Sequence, residues 1–329
     1  MTRPTRPAAL RVGGLVLGVA LALALAFPSR TGLTGVLPFA QVIAFRPVLA
    51  LALIAAAAGL LALGALAGRR ARTGIAGILV LAAILQAGVL AGRGLAPQAT
   101  RGAPSGQVVV LTANTQSSAS ATDLANLVRA TGADVAVFPE TTRRVADDVA
   151  ARLAASGIPM QVLAVRRRRS NLSGTAMLVG SGLGTYRIDQ VVNTVEATFT
   201  AVPVDGSGPT LVAVHTEPPA RLALMRSWRA DTALATATCR SHRGAIVAGD
   251  FNATLDHPAF ADLAPCLDAA QAAGAAALGT WPSAAPRWLS APIDHVLVDG
   301  RSWRVLSVAV LDAVPGADHR PVLVHLTAR

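Results

Sequence analysis

Lysine is absent from the 329 residues, so all 29 basic side chains are arginine. The bias decides nothing about mechanism. Only two cysteines occur, too few for a disulfide-dense small scaffold or a four-cysteine zinc site. Charged residues make up only 14% of the chain and hydrophobic residues 53%, which excludes a disordered or collagen-like chain. Also missing are the H-E-x-x-H helix of a zinc protease, the G-x-S-x-G turn of a serine hydrolase and the G-x-x-x-x-G-K-[ST] phosphate loop. Acid is missing from the first third. Residues 1–104 carry ten arginines and no Asp or Glu, whereas residues 105–329 carry nineteen arginines against eighteen acids, a balance of +1. The formal charge of +11 therefore belongs to the N-terminal third, which suits a membrane flank better than a nucleic-acid-binding face.

That third holds three apolar runs: Val12–Phe27 behind Arg3, Arg6 and Arg11, then Val48–Ala67, then Ile75–Ala91 interrupted by Gln86. A bilayer core takes about 17–25 apolar residues as helix. About three transmembrane helices are predicted, over 12–27, 48–67 and 75–91. The second qualifies outright, and the others with a flanking residue or two. Leu33–Phe45 is apolar but short and holds Pro38, so a re-entrant or interfacial piece is expected. Arginine asymmetry puts Arg3, Arg6, Arg11, Arg69, Arg70 and Arg72 inside and Arg30, Arg46, Arg93 and Arg101 outside. The expectation is a multi-pass protein of the cell membrane that contacts lipid through these helices, with residues beyond the third run extracytoplasmic. Ala24-Leu25-Ala26 also resembles a signal-peptidase site; cleavage there would remove the first span and leave the last two-thirds outside. In that compartment Cys239 and Cys266 form a disulfide or stay separate buried thiols, and spacing does not decide which. Residues 92–106, with Gly, Pro, Ser and Arg and no apolar period, form a linker.

From Gln107 the texture changes. Short β-branched runs stand at Val108–Leu111, Val135–Phe138, Thr175–Val179, Val191–Val195, Leu211–Val214, Ala245–Ala248, Ile293–Val298, Val305–Val310 and Val322–Leu326. Helical stretches fall at Thr122–Ala130, Thr142–Ala155 and Arg221–Cys239, the first capped by Ser120 or Thr122 and ended by Gly132. Many strands with few helices predict an α+β domain over 107–329, two sheets packed together with helices outside.

The acids and imidazoles of interest stand at strand ends. Asn114 follows the first run, Glu140 the second, and His215 ends the Leu211 run. Asp250 and Asn252 follow Ala245–Ala248 in G-D-F-N, Asp294 opens I-D-H-V-L-V, and Asp318-His319 precede the last strand. Carboxylate and amide oxygens suit a hard cation such as Mg²⁺, and imidazole with carboxylate supplies proton transfer to an attacking water.

The order Asn … Glu-Thr … His … Gly-Asp-Phe-Asn … Asp … Asp-His resembles the endonuclease/exonuclease/phosphatase superfamily, the DNase I-like fold, across Gln107 to the C-terminus. The resemblance implies a four-layered α/β sandwich and a metal-dependent phosphoesterase. It implies that Glu140 holds the metal with Asn114 close by and Asp318 near, Mg²⁺ being expected and Mn²⁺ an alternative. Asp250 and Asn252 would orient the water and bind the scissile phosphate, and His215 would contact a phosphate oxygen. His319 would handle the proton, oriented by Asp294, and Asn171 would border the substrate groove. Nuclease members often carry an acid where this chain has Gln116, which favours a single metal.

The expected substrate is a phosphoester, whether lipid headgroup, small phosphoester or nucleic acid. An extracytoplasmic nuclease and a catalytically silent membrane-tethered binding module are the alternatives, and no protein partner is predicted. Arg166–Arg169 is either a solvated loop or a contact for phosphate or anionic lipid. His295 is expected to be structural and near the site, and His242, His257 and His325 to be surface or edge residues. Trp281, Trp288 and Trp303 are expected in the core or at a rim.

Overall fold

The computed structural model describes residues 6–63, 69–95, 106–167, 173–192 and 196–329. The N-terminal third is helical: α1 (Arg6–Ala26), α2 (Phe39–Ala44), α3 (Arg46–Leu63) and α4 (Arg69–Arg93), with two short 3₁₀ turns, Pro28–Thr31 and Leu33–Gly35, ahead of α2. The three apolar runs lie on α1, α3 and α4. Among the described residues, Arg72–Arg93, with mean hydropathy 2.3, is the stretch long and apolar enough to cross a membrane by length and composition, and Arg46–Ala62 is a shorter apolar helix. The described part of α3 ends at Leu63, and 64–67 lie outside the described residues, whereas α4 extends the third run in both directions.

The rest of the chain forms β1 (Gln107–Thr112), α5 (Ala121–Thr131), β2 (Val135–Pro139), α6 (Arg143–Ala155), β3 (Met160–Arg166), β4 (Gly174–Gly180), β5 (Tyr186–Val191), β6 (Phe199–Pro203) and β7 (Leu211–His215). It continues with α7 (Met225–Ser241), β8 (Ile246–Asp250), β9 (Cys266–Asp268), α8 (Ala269–Ala272), β10 (Asp294–Asp299), β11 (Trp303–Val310) and β12 (Val322–Ala328). Two six-stranded sheets result, ordered β11-β12-β1-β2-β4-β3 and β5-β6-β7-β8-β10-β9. β1 pairs in parallel with β2 across α5, and β7 with β8 across α7; the other neighbours within each sheet pair antiparallel.

The central strands are apolar on both faces because both faces are covered. Val108, Val110, Val135 and Val137 meet Phe199, Leu211, Ala213 and Ile246 of the opposite sheet. Their alternating neighbours Val109, Leu111, Ala136 and Phe138 pack under Leu124 and Val128 of α5 and Val149 and Leu153 of α6. On the far side, Val212, Val214, Val247 and Leu297 pack under Met225, Trp228 and Ala235 of α7. The layers run helix, sheet, sheet, helix, an α+β sandwich as expected. Ser120 accepts the Asp123 amide at 3.1 Å to start α5, and Gly132 ends it with φ 62°.

Cys239 and Cys266 are joined in a disulfide that ties α7 to β9. Four strands were not anticipated: β3, β5, β6 and β9. β5 explains why, since five of its six residues are half-buried or exposed and its sequence YRIDQV has little apolar character. The strand expected at 191–195 is instead the end of β5, with 193–195 outside the described residues. Gly92 and Arg93 belong to α4 rather than to a linker, and the Arg93 and Gly94 carbonyls accept the Ala276 and Ala277 amides at 3.0 Å each.

The segment at 33–45 does not stand apart from the sandwich. Ala40 is fully buried against the outer face of the second sheet. Its carbonyl accepts Nε2–H of His257 at 3.0 Å, and the Thr254 amide donates to Nδ1 at 2.7 Å. His257 is therefore buried, not a surface residue, and burial holds its pKa down at about 4. His325 lies half-buried on β12, an interior strand. Where α3 begins, Arg46 and Arg93 both close on the buried carboxylate of Asp256.

Candidate active site

Strand register assembles the site. The parallel pairing of β7 and β8 sets His215 beside Asp250, and the antiparallel pairing of β8 and β10 sets Asp294 on the other side of Asp250. Three adjacent strand ends thus present imidazole, carboxylate and carboxylate in one row. Gly249 makes the row possible. With φ 150°, it lies so close to β7 that a Cβ would stand 1.9 Å from the Val214 carbonyl oxygen.

His319 arrives from the loop before β12. Its Nδ1 is 2.8 Å from Oδ2 of Asp294, and its Nε2 faces Oδ2 of Asp250 at 3.8 Å and Oδ1 of Asp318 at 3.9 Å. Asp294 is fully enclosed, so it fixes the ring while Nε2 points into the cavity. Burial draws the His319 pKa down, but the negative charge of Asp294 and Asp250 outweighs it and the imidazole is raised well above its usual range. Burial, then the charge of Asp294, raises Asp250 in turn. His215, buried and facing Glu140 at 3.8 Å and Glu196 at 3.9 Å, is held at about 3, first by burial and then by the positive charge of His319 and Arg167. It is a neutral imidazole.

The first sheet supplies the opposite wall. Asn114, after β1, donates Nδ2 to Oε1 of Glu140 at 3.1 Å and to Oδ2 of Asp250 at 3.0 Å, while its Oδ1 accepts the Gln116 amide at 3.0 Å. It thereby couples the two sheets at the site. Glu140, after β2, has a left-handed φ of 57°, as do Gln116 at 50° and Asn252 at 46°. Non-glycine residues adopt this conformation at a cost, and here they cluster at the cavity. Asn252 donates its backbone amide to Oδ1 of Asp250 at 2.8 Å and Nδ2 to the Thr216 carbonyl at 3.0 Å. Asp318 accepts Nε1–H of Trp281 at 3.0 Å.

A cavity of about 450 Å³ opens between these groups, lined by Glu140, His215, Asp250, Asn252, Asp318 and His319. Every expected site residue except one is in or directly behind it: Asn114 and Asp294 stand behind, and Asn171 lies outside the described residues. His295 is structural, gripped by Asp268 at 2.7 Å and the Ala253 carbonyl at 2.8 Å. The three tryptophans separate. Trp281 lines the cavity, Trp303 is buried and Trp288 is half exposed.

One acidic residue at the cavity was missed. Glu196 is buried and pairs with Arg167. Burial raises its carboxyl to about 7 against the pull of Arg167. Nothing in V-E-A-T-F distinguishes it from a structural acid, whereas Arg167 belonged to the basic run at 166–169. Also unforeseen, Gln41, Ala44 and Phe45 bring the N-terminal third to the cavity wall.

Asp250, Asp294 and His319 offer ligand atoms all within 4.8 Å of one another, a cluster that could bind a divalent metal. The sandwich carries this cluster where the ends of β8 and β10 meet the loop before β12. The chain belongs to the Endonuclease/Exonuclease/phosphatase family, whose signature matches residues 111–319. That family is generally hydrolytic on phosphoester bonds.

Solved structures share the fold. The endonuclease/exonuclease/phosphatase from Bacteroides vulgatus aligns with TM-score 0.51 and 17% identity over 68% of this chain and 99% of its own. The mannosyl-6-phosphatase of Bacteroides thetaiotaomicron aligns with TM-score 0.50 and 16% identity over 67% and 99%. A humanized D. rerio TDP2 aligns with TM-score 0.51 and 12% identity over 68% and 100%. No curated protein matches the chain.

Proposed function

We propose that this chain is a membrane-anchored, divalent-metal-dependent phosphoesterase, with the N-terminal helices as anchor and the catalytic domain extracytoplasmic. The observation that carries the reading is the Asp294–His319 pair at 2.8 Å with Nε2 of His319 aimed past Asp250 into the cavity. A histidine held cationic by two buried carboxylates is a fixed donor for a phosphoryl or leaving-group oxygen. Asp250, raised toward neutrality, is suited to take a proton from water. The water oxygen would bond to phosphorus, its proton passing to Asp250, while the ester oxygen leaves with a proton from Nε2 of His319. Asn252 and the neutral His215 would bind the remaining phosphate oxygens, and Asn171 would border the groove.

The residues fit a hard cation. Glu140 and Asp318 open carboxylates to the cavity beside Asn114, and no thiolate is present. We assign the metal to Glu140, Asn114 and Asp318 rather than to the Asp250, Asp294 and His319 trio, because the enclosed Asp294 is committed to orienting His319 and Nε2 of His319 is left to handle the proton. Mg²⁺ is the preferred ion, with Mn²⁺ an alternative; when bound, it would supply charge neutralisation at the phosphate.

The test is turnover by the purified full chain of p-nitrophenyl phosphate, bis-p-nitrophenyl phosphate, a phospholipid and plasmid DNA, with Mg²⁺ or EDTA. Turnover that needs the metal and is lost in His319→Ala supports the reading. Preference for DNA would make the chain a nuclease. An inert wild type on all four substrates would reject the enzyme in favour of a silent binding module.

A further inference from the structure

The catalytic cavity is not walled by the sandwich alone. Ala40, Gln41, Ala44 and Phe45, from α2 and its end, line it together with the carboxylates and imidazoles. Phe45 packs against Trp281 with ring centroids 5.9 Å apart, and Pro218, Pro219 and Ile293 complete an apolar side. The cavity therefore has two chemistries: a charged floor at Asp250 and His319, and an apolar flank contributed by the N-terminal third.

This flank is held in place. The Gln41 amide reaches the Pro219 carbonyl, Arg229 donates to the Gly35 carbonyl at 2.5 Å, and His257 holds Ala40. The outer face of the same segment is apolar and open to its surroundings: Phe27, Leu33, Val36, Phe39 and Val42 are each about two-fifths exposed. One short stretch thus joins the cavity to an exposed apolar surface continuous with the helical region.

We infer that α2 and Phe45 form a recognition wall that selects a phosphoester carrying an alkyl chain, the phosphate lying on the charged floor and the chain against Ala44, Phe45 and the prolines. The inference rests on the phosphoester reading of the adjacent floor. A chain that enters along this wall runs toward the exposed apolar face of Phe39 and Val42, where an amphiphile drawn from a lipid layer would arrive. A small hydrophilic phosphate ester would leave the flank uncovered.

The experiment uses the full chain in detergent with Mg²⁺ and measures calorimetric Kd for ethyl, butyl and octyl phosphate. A fully buried methylene tightens binding about fourfold, so burying three gives a ratio of roughly 60 between ethyl and octyl phosphate. Ala44→Trp, which fills the flank, and Phe45→Ala, which removes it, should each reduce that ratio to about 5 or less, whereas Phe45→Leu should restore most of it. Partition of octyl phosphate into micelles is common to all variants and cancels in their comparison, and binding of ethyl phosphate reports an intact floor. A wild-type ratio no larger than that of the two variants overturns the inference. Turnover of nitrophenyl esters is scored separately. Turnover with a flat chain-length series rejects the wall alone, and a steep series without turnover rejects the enzyme and keeps the wall.

Discussion

Asp256 is a buried joint between the helical region and the sandwich. Nε of Arg46 donates to its Oδ2 at 2.7 Å, the Arg46 NH2 group reaches Oδ1, and Arg93 makes two further bonds at 2.8 Å each. Arg46 also donates to the Ala26 carbonyl at 2.9 Å and to Gln86, so α1, α3 and α4 all converge on this carboxylate. Burial pushes the Asp256 carboxyl up, and the two guanidiniums outweigh it and hold it at about 2. Asp256→Ala would leave Arg46, 4% exposed, as an uncompensated buried cation. Removing one partner of such a pair costs about 3–5 kcal/mol, and a domain of this size loses roughly 2–4 °C of Tm per kcal/mol. Thermal unfolding of the full chain should therefore fall by roughly 6–20 °C. Because this pKa is depressed, the carboxylate's contribution is complete above about pH 4 and is lost as pH falls toward about 2. The gap between wild type and variant should narrow by about 2.5 kcal/mol over that range. The triple change Arg46→Met, Arg93→Met, Asp256→Leu should recover most of the loss. A shift of less than about 2 °C for Asp256→Ala, or no recovery in the triple variant, would refute the reasoning.

Asp294→Asn should lower kcat by about 10²–10⁴-fold and move the imidazolium limb of the pH–rate profile to lower pH, because the largest charge that raises His319 is gone; an unchanged profile would count against the pairing. His257, neutral in the fold and held at about 4 by burial, should cost stability as pH falls from about 6.5 to 4, on the order of 3 kcal/mol in total, and His257→Phe should abolish that part of the pH dependence of unfolding. Cys239→Ser with Cys266→Ser opens a loop of 27 residues and should cost about 3–4 kcal/mol, read as a fall in Tm that reductant reproduces in the wild type.

What the sequence made legible were the features repeated along the chain. Runs such as Val108–Leu111 and Leu211–Val214 announced central strands because strands covered on both faces are apolar throughout. The site residues were legible because they stand at the ends of such runs or just beside them, and register then brings His215, Asp250 and Asp294 side by side. β5 carried no such signal, being mostly exposed. Glu196 carried none either, since its importance comes from burial against Arg167 and His215, which lie far from it in sequence or across a loop. His257 was misjudged because its burial depends on Ala40, 217 residues away. The same distance in sequence hid the contribution of α2 to the cavity: an apolar segment with a proline resembles an interfacial piece until its partner surface is known.

The most direct test of metal-assisted hydrolysis at this site is turnover by the full chain in ¹⁸O-labelled water, with Mg²⁺ and with EDTA, for wild type and Asp250→Asn. Attack of water on phosphorus predicts one labelled oxygen in the phosphate product of each Mg²⁺-dependent turnover, and a rate reduced by about 10²-fold or more in the variant. Label in the alcohol product, a rate untouched by EDTA, or equal rates in wild type and Asp250→Asn would contradict the account.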